Sequence, residues 1–464
     1  MIDLSRAGSI DQPDGAGSAG GGRCDDRVRF TLRLAGERLA EVRFGADACA
    51  STTAAAAWLA EAAEGSGLLD AARLGLTDVL AGTTIDSPEC ALTAVDALHA
   101  ALGDAVVRGA SIAADPHRVG IAMSGGVDSA MVLTSAVEEG HEAVGLTLRL
   151  WIDPDAPNPE RACCAPSAVR AARDLCHAKG MPHFMLDLRE DFRAAVVEPF
   201  VAGYAAGETP NPCATCNGAF RFDAIDAIAT ALGCSEWRTG HYARLVERDG
   251  ALLVARGADP DKDQSAMLAL VDPAILARVR LPLGERIKRD VVAEAGAKGL
   301  AAAKAPESQE VCFLGGGELA PFLERQGVEL VPGPIVDEQG VELGTHHGAV
   351  AFTPGQRRGL GVSRGTDALY VLKVDALSNT VVVATLERLG RREVELRDVR
   401  LRVPCDRVGA SFRVRAEPIP AALAAHADGT ATLVLDRDAF QVAPGQVAAL
   451  YDGDCIVAAG VVAG

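Results

Sequence analysis

From Arg27 to Phe44 the chain alternates apolar with charged residues, RVRFTLRLAGERLAEVRF. This is the period-two pattern of strands with one wet face. Ala35 and Gly36 interrupt it midway, which predicts two antiparallel strands joined by a hairpin. Ser51 to Ala63 and Ala91 to Leu102 are rich in Ala and Leu and read as helices. The style changes after a linker near Ala113 to His117. The apolar run RVGIAM (118–123) is followed by SGGVDS and a helical stretch, and HEAVGLTL (141–148) and His183 to Leu188 read as further strands. Helices are predicted over Pro166 to Lys179, Phe192 to Ala206 and Asn217 to Leu232. Strands alternating with helices imply a parallel, doubly wound sheet. After about Gly315 the segments GAVAFT, LYVLKV, NTVVVAT, EVELRDVRLRV, TATLVL and VAALYDG are short, β-rich and separated by turn residues.

The expected fold class is therefore α/β: a doubly wound parallel sheet with an N-terminal α+β domain and small C-terminal β domains, the last a β-barrel. The expected organisation is a flexible tail at 1–22, rich in Gly, Ser and Asp, then an α+β domain at 23–110. A parallel-sheet domain at 116–312, a central β-rich domain at 313–388 and a barrel at 389–464 follow.

Charge narrows the class of partner. Forty-five basic against sixty-three acidic side chains give −18, so a polyanion has to be met by a local basic patch. Two clusters offer one: Arg278, Arg280, Arg286, Lys288 and Arg289, and Arg388, Arg391, Arg392, Arg397, Arg400 and Arg402. The alternative for both is a solvated, salt-bridged face. No stretch approaches about 18 uncharged apolar residues and the N-terminus lacks a basic n-region, so no membrane partner and a cytoplasmic location are expected. Twelve cysteines are too sparse for a disulfide scaffold and read as thiols of a reducing compartment.

Two features carry chemistry. Ser124-Gly125-Gly126-Val127-Asp128-Ser129 lies between a strand and a helix. There the backbone N–H groups, the helix N-terminus and two hydroxyls can hold an anion. The loop lacks the Gly-Lys-Ser/Thr ending of a P-loop. Cys213 and Cys216 form a C-x-x-C after a Pro-rich turn at a helix start, where thiolate is favoured. Taken alone the pair reads as half a zinc site or a redox pair. Cys312 lies in a strand-like Gln-Glu-Val-Cys-Phe segment, the setting of an ordinary buried cysteine.

The hexapeptide is the signature of the ATP-pyrophosphatase (PP-loop) family. Further motifs follow in order: TPNPCATCN (209–217), TGHYAR (239–244), DKDQS (261–265), SQEVCF (308–313), PGPIV (332–336), TPGQRRGLG (353–361) and PGQ (444–446). From about Arg118 to the C-terminus the chain resembles the tRNA-specific 2-thiouridylase family, which places sulfur on the wobble uridine. The resemblance implies an adenine nucleotide alpha hydrolase-like domain. It implies ATP, with Mg2+, on Ala122, Met123, the six loop residues Ser124, Gly125, Gly126, Val127, Asp128 and Ser129, and on Leu148 and Gly240. It implies Cys216 as nucleophile and Cys312 as persulfide carrier, the two closing as a disulfide, beside Asp128. It implies tRNA contacts at Asn211, Pro212, Cys213, Lys262, Asp263, Gln264 and Arg413, although the aromatic that follows this arginine in the family is Val414 here. Cys213, where many members have Asp, would let Cys213, Cys216 and Cys312 hold a [4Fe–4S] cluster instead, and both chemistries stay open. A cysteine desulfurase or another sulfur donor is the implied partner.

Residues 23–108 resemble the iron–sulfur cluster scaffold family (NifU N-terminal/IscU-like). This implies Cys24, Asp26, Cys49 and Cys90 as ligands of iron, zinc or a nascent cluster, with Glu89 where a basic residue is usual. Tethering such a donor would raise its effective concentration at the acceptor thiols. The alternatives are a sulfurtransferase with a non-tRNA acceptor, or a non-enzymatic iron–sulfur carrier. Cys163, Cys164, Cys176, Cys234, Cys405 and Cys455 are read as structural.

Overall fold

The computed structural model describes residues 3–21, 25–85, 87–158, 165–304, 311–363, 368–413, 416–440 and 442–464. Its N-terminal unit is a three-stranded antiparallel sheet, β1 (Gly15–Gly21), β2 (Asp26–Ala35) and β3 (Arg38–Asp47), in the order β1-β2-β3. The alternation in β2 places Val28, Phe30 and Leu32 in the core, and Val42 and Phe44 of β3 join them. Helices α1 (Ala50–Ala63) and α2 (Pro88–Val107) cover that face. The expected flexible tail at 1–22 is corrected for the residues described. Ile10 is buried, its N–H donating to the Thr31 hydroxyl at 3.0 Å, and Gly15 to Gly21 pair with Asp26 to Leu32 of β2. The strand was illegible because its glycines carry no pattern. They are there for contact: a Cβ on Gly17 would collide with the backbone of Ala100 and Ala101 in α2.

The second unit is a parallel sheet built from β4 (Asp115–Ala122), β5 (Glu142–Arg149), β6 (His183–Asp187) and β7 (Cys234–Arg238), with the hairpin β8 (Ala243–Arg248) and β9 (Ala251–Arg256) leading to the short β10 (Val279–Arg280). Its order is β10-β7-β4-β5-β6, all parallel. The chain winds outward from β4 through β5 to β6 and then returns to the other side of β4. A crevice therefore opens between the carboxyl ends of β4 and β7, the switch point where ligands bind in such sheets. Helices α3 (Val127–Glu138) and α4 (Pro166–Ala178) follow β4 and β5. Helix α5 begins at Pro212–Cys216, passes through a π-turn at Asn217–Arg221 and ends at Phe222–Ala231.

The two units share one core. Helix α2 packs on β1 and β2 of its own sheet and also on β6. A Cβ on Gly103 would fall on the Met185 carbonyl, and His99 is enclosed between the carbonyls of Leu74 (2.8 Å) and His183 (3.2 Å). Asp96 of α2 accepts from Arg170 and Arg173 of α4, each at 2.7 Å. By length and composition α2 could cross a membrane, but it is a core helix with eleven buried positions.

Helix α6 (Lys288–Ala297) returns to the parallel sheet, and α7 (Leu319–Arg325) precedes the β-rich part. Strands β11 (Gly333–Val336), β12 (Glu342–His346), β13 (Tyr370–Asp375) and β14 (Thr380–Ala384) form a sheet in the order β12-β11-β14-β13. GAVAFT, expected as a strand, holds a 3-10 turn at Ala349–Ala351. The last strands are β15 (Arg391–Leu401), β16 (Arg407–Ser411), β17 (Ile419–Ala425), β18 (Ala431–Ala439), β19 (Val447–Asp452) and β20 (Cys455–Val462). They run β15-β18-β17-β16-β19-β20, and a β15–β20 pairing closes them into a six-stranded barrel, which removes the sheet edges. The β8–β9 hairpin attaches to this barrel through Ala255 and Cys455.

Candidate active site

The glycine loop leaves β4 and enters α3 at the switch point. Gly125 has φ +73°, and a Cβ there would stand 2.6 Å from the Ala168 carbonyl oxygen of α4. The loop is thus set by a left-handed residue that only glycine fills without strain. Ser129 Oγ accepts from Ser124 N (3.2 Å) and donates to the Gly126 carbonyl (3.0 Å), which folds the loop over the helix N-terminus. A pocket of about 200 Å³ opens here, lined by Ala122, Met123, Ser124, Asp128, Ser129, Leu146 and Leu148 on one side. Its other side is Arg221, Phe222 and Ile225 of α5, with Thr239, Gly240, His241 and Gln264. The loop, Leu148 and Gly240, predicted to hold a nucleotide, therefore meet in one cavity. Gly240 has to be small, since a Cβ would lie 2.8 Å from the Asp128 Cβ.

Asp128 is the electrostatic centre. Lys288 Nζ donates to both its carboxylate oxygens at 2.7 Å, and Tyr242 Oη donates to Oδ1 at 2.9 Å. Lys288 opens α6, is 9% exposed, and its own N–H is held by Asp259 at 2.8 Å. Lys288, grouped by sequence with a basic cluster, is thus spent on the glycine-loop carboxylate. Sequence reasoning missed it because a lysine in a basic cluster carries no local mark of its partner. Tyr242 and His241, also missed as site residues, lie inside the TGHYAR motif. Burial pushes the His241 imidazole down to about 3, so it stays neutral beside the pocket.

The residues expected to meet RNA separate. Asn211 caps α5, its Oδ1 accepting from Ala214 N at 3.2 Å, and Pro212 is the first helical residue. Asp263, expected within a segment that meets tRNA, is buried, and its carboxylate accepts from Gly257 N, Ser265 N and Ser265 Oγ. Gln264 faces the nucleotide pocket and exchanges two 2.9 Å bonds with the backbone of Tyr242. Lys262 is half-buried and Arg413 exposed. The basic clusters are largely spent on acids. Arg278 pairs with Asp226, Arg280 with Glu236, Arg286 with Glu294, Arg388 with Glu338, Arg392 with Asp438 and Arg397 with Glu208. Arg400 and Arg402 instead donate to the carbonyls of residues 269–271, bolting the barrel to the sheet domain.

Cys213 and Cys216 stand in the first turn of α5, Cys216 buried, and the same helix supplies Arg221 and Phe222 to the pocket wall. Cys312 opens a 3-10 turn, Cys312–Leu314, rather than lying in a strand. An aromatic layer joins the two places. Phe220 of α5 meets Phe192 (5.5 Å), which meets Phe313 (6.1 Å), the residue after Cys312. Neither Cys216 nor Cys312 is in a disulfide.

A second constellation lies in the N-terminal unit. Asp26, Cys49 and Cys90 bring one donor atom each within 4.8 Å of the others, the single such group of metal-ligating side chains among the described residues. The two sulfurs are 3.6 Å apart, and Asp26 Oδ2 accepts from Thr52 Oγ1 at 2.6 Å. Cys49 is the N-cap of α1, and the Thr52 hydroxyl holds its thiol below the ordinary range. By contrast, burial pushes Cys176 and Cys234 up to about 12, as inert structural thiols require. The expected Cys24, Cys163 and Cys164 lie outside the described residues.

Four domain families match the chain in sequence. They are the NifU-like N terminal domain at 4–109, the tRNA methyl transferase HUP domain at 117–316, the tRNA methyl transferase PRC-barrel domain at 320–385 and the aminomethyltransferase beta-barrel domain at 405–462. The chain is 42% identical to the bifunctional protein NifU/MnmA of Rubrobacter xylanophilus, over 100% of this chain and 97% of that one. It is 39% identical to the tRNA-specific 2-thiouridylase MnmA of Chloroflexus aggregans, over 74% of this chain and 97% of that one. The corresponding protein of Magnetococcus marinus is 40% identical, over 74% and 98%.

Proposed function

The chain belongs to the tRNA-specific 2-thiouridylase family, in the form fused to a NifU-like domain, and on that premise we propose that it thiolates the wobble uridine of tRNA at the expense of ATP. The observation that carries the reading is the shared helix: α5 bears Cys213 and Cys216 in its first turn and walls the nucleotide pocket with Arg221 and Phe222.

ATP lies with its phosphates over the glycine loop and the N-terminus of α3. The uracil C2 oxygen attacks the α-phosphorus, and pyrophosphate leaves. Arg221, in the pocket wall, supplies positive charge where negative charge develops on the transferring phosphates; Lys288 orients and neutralises Asp128, which would hold Mg2+ once that ion pair opens. Sulfane sulfur carried on Cys312 as a persulfide attacks the activated C2, and AMP departs. The Cys216 thiolate then attacks the Cys312 sulfur, giving a Cys216–Cys312 disulfide and releasing the thiocarbonyl. A cysteine desulfurase is the donor that fits a persulfide. Asn211, Pro212 and Cys213 stand where the target base enters, and Lys262 and Arg413 are the cations offered to the RNA backbone.

In the N-terminal unit the donor set suits a thiophilic metal. Zn–S distances near 2.3 Å place tetrahedral donors about 3.8 Å apart, and the two sulfurs lie 3.6 Å apart beside a carboxylate. Asp26, Cys49 and Cys90, with Cys24, would hold zinc or iron there, as a store of cluster or sulfide.

The test is mass spectrometry of tRNA nucleosides after incubation with ATP, L-cysteine and a desulfurase. The expected result is 2-thiouridine that disappears in Cys216→Ser. AMP production without any thiolated nucleoside would refute the reading.

A further inference from the structure

The turn at Cys312–Leu314 has little to hold it by itself. Leu314 N donates to the Val311 carbonyl at 3.1 Å and Gly315 N to the Cys312 carbonyl at 3.3 Å. A single 3-10 turn is placed by what it packs on. Phe313, 1% exposed, gives one anchor, with its ring 5.1 Å from Phe200 and 5.6 Å from Phe322. The loop after β5 gives the other. Asp153 N donates to the Phe313 carbonyl and Asn158 N to the Gly315 carbonyl, both at 3.0 Å. A Cβ on Gly315 would stand 2.6 Å from the Ala156 Cβ, so the two backbones touch.

What fixes that loop is an ion pair. Asp153 is 1% exposed, and its Oδ2 accepts from Arg325 Nε (2.9 Å) and Nη2 (2.6 Å), while Oδ1 accepts from Asp155 N (3.2 Å). Arg325 is the last residue of α7. A carboxylate this buried is strongly destabilised without its partner, so Asp153 stays where Arg325 is, and the Cys312 turn stays where Asp153 is. Neither residue lines the nucleotide pocket.

We infer that Asp153 and Arg325 are positioning residues for Cys312: the pair sets where sulfur carried on that thiol is presented and takes no part in adenylation. This rests on the assignment of Cys312 as sulfur carrier made above. It predicts that the two halves of the reaction come apart. Full-length protein is given tRNA, ATP, L-cysteine and a desulfurase, and the single-turnover burst of pyrophosphate is measured beside 2-thiouridine. In Arg325→Met, thiolation should fall roughly 10- to 100-fold, the scale of a displacement near 1 Å at a reacting centre. The pyrophosphate burst should stay within about twofold. Arg325→Lys, which keeps the charge but not the two-point grip, should fall between. Cys312→Ser is the control for the underlying assignment. If it thiolates normally, that assignment fails and the inference with it. If it loses thiolation while Arg325→Met keeps it, the pair alone is refuted. Parallel loss of burst and thiolation in Arg325→Met would show a merely structural pair and equally overturn the inference.

Discussion

Lys288 and Asp128 lie 160 residues apart, and the lysine Nζ sits 2.7 Å from both oxygens of the glycine-loop carboxylate. The lysine is 9% exposed and the aspartate 31%. The pair ties helix α6 to the start of α3, and Tyr242 completes it from the segment after β7.

Replacing Lys288 by Met should therefore act on the nucleotide, not on RNA binding. Loss of the cation that orients Asp128 costs on the order of 100-fold in rate, the scale of a small misplacement at a reacting centre. Pyrophosphate release with tRNA should fall by that order, while the salt dependence of tRNA binding keeps its slope. Normal release together with a flatter slope would return Lys288 to the RNA face.

The thiol and carboxylate group of the N-terminal unit should bind about one zinc per chain. A chelator competition should show affinity falling at least about tenfold in Cys90→Ser. Cys24→Ser should weaken binding as well, if the fourth ligand is the one the family resemblance implies. Metal that binds the folded state raises its melting temperature. An undiminished affinity in Cys90→Ser would rule the site out.

Acid should loosen the joint between the first two units. Burial holds His99, His177 and His183 below the ordinary histidine value. The unfolded chain takes up these protons below about 6.5, whereas the folded chain resists until lower pH. Stability present above the unfolded value is thus lost as pH falls through that window. Urea midpoints should drop between pH 7 and 5, and His99→Gln should make the drop shallower. Equal midpoints at the two pH values would contradict the mechanism.

Gly103 tests the shared core directly. A methyl group there meets the Met185 carbonyl, and overpacking typically costs about 1–3 kcal/mol. Gly103→Ala should lower the first calorimetric transition by several degrees, and an unchanged scan would mean that α2 is not seated on β6.

Much of this protein is local and was legible in the chain itself. The strand and helix order around β4 to β6, the hairpin after Ala35, the glycine loop and the C-x-x-C follow from periodicity and from residues that act on their own backbone. The glycines of β1, with no side-chain pattern, become a strand through contact with α2 and β2, which no window of sequence contains. The same limit separates the cations from their partners. Arg278 and Arg392 look alike in a list of charges, and Lys288 looks like both, because an ion pair depends on distances between elements far apart in the chain. Tertiary structure alone decided that Lys288 meets Asp128, that Asp263 is buried, and that Cys312 sits on a turn held by Asp153 and Arg325. Each is a question of which groups share a small volume after packing, and only the folded chain answers it.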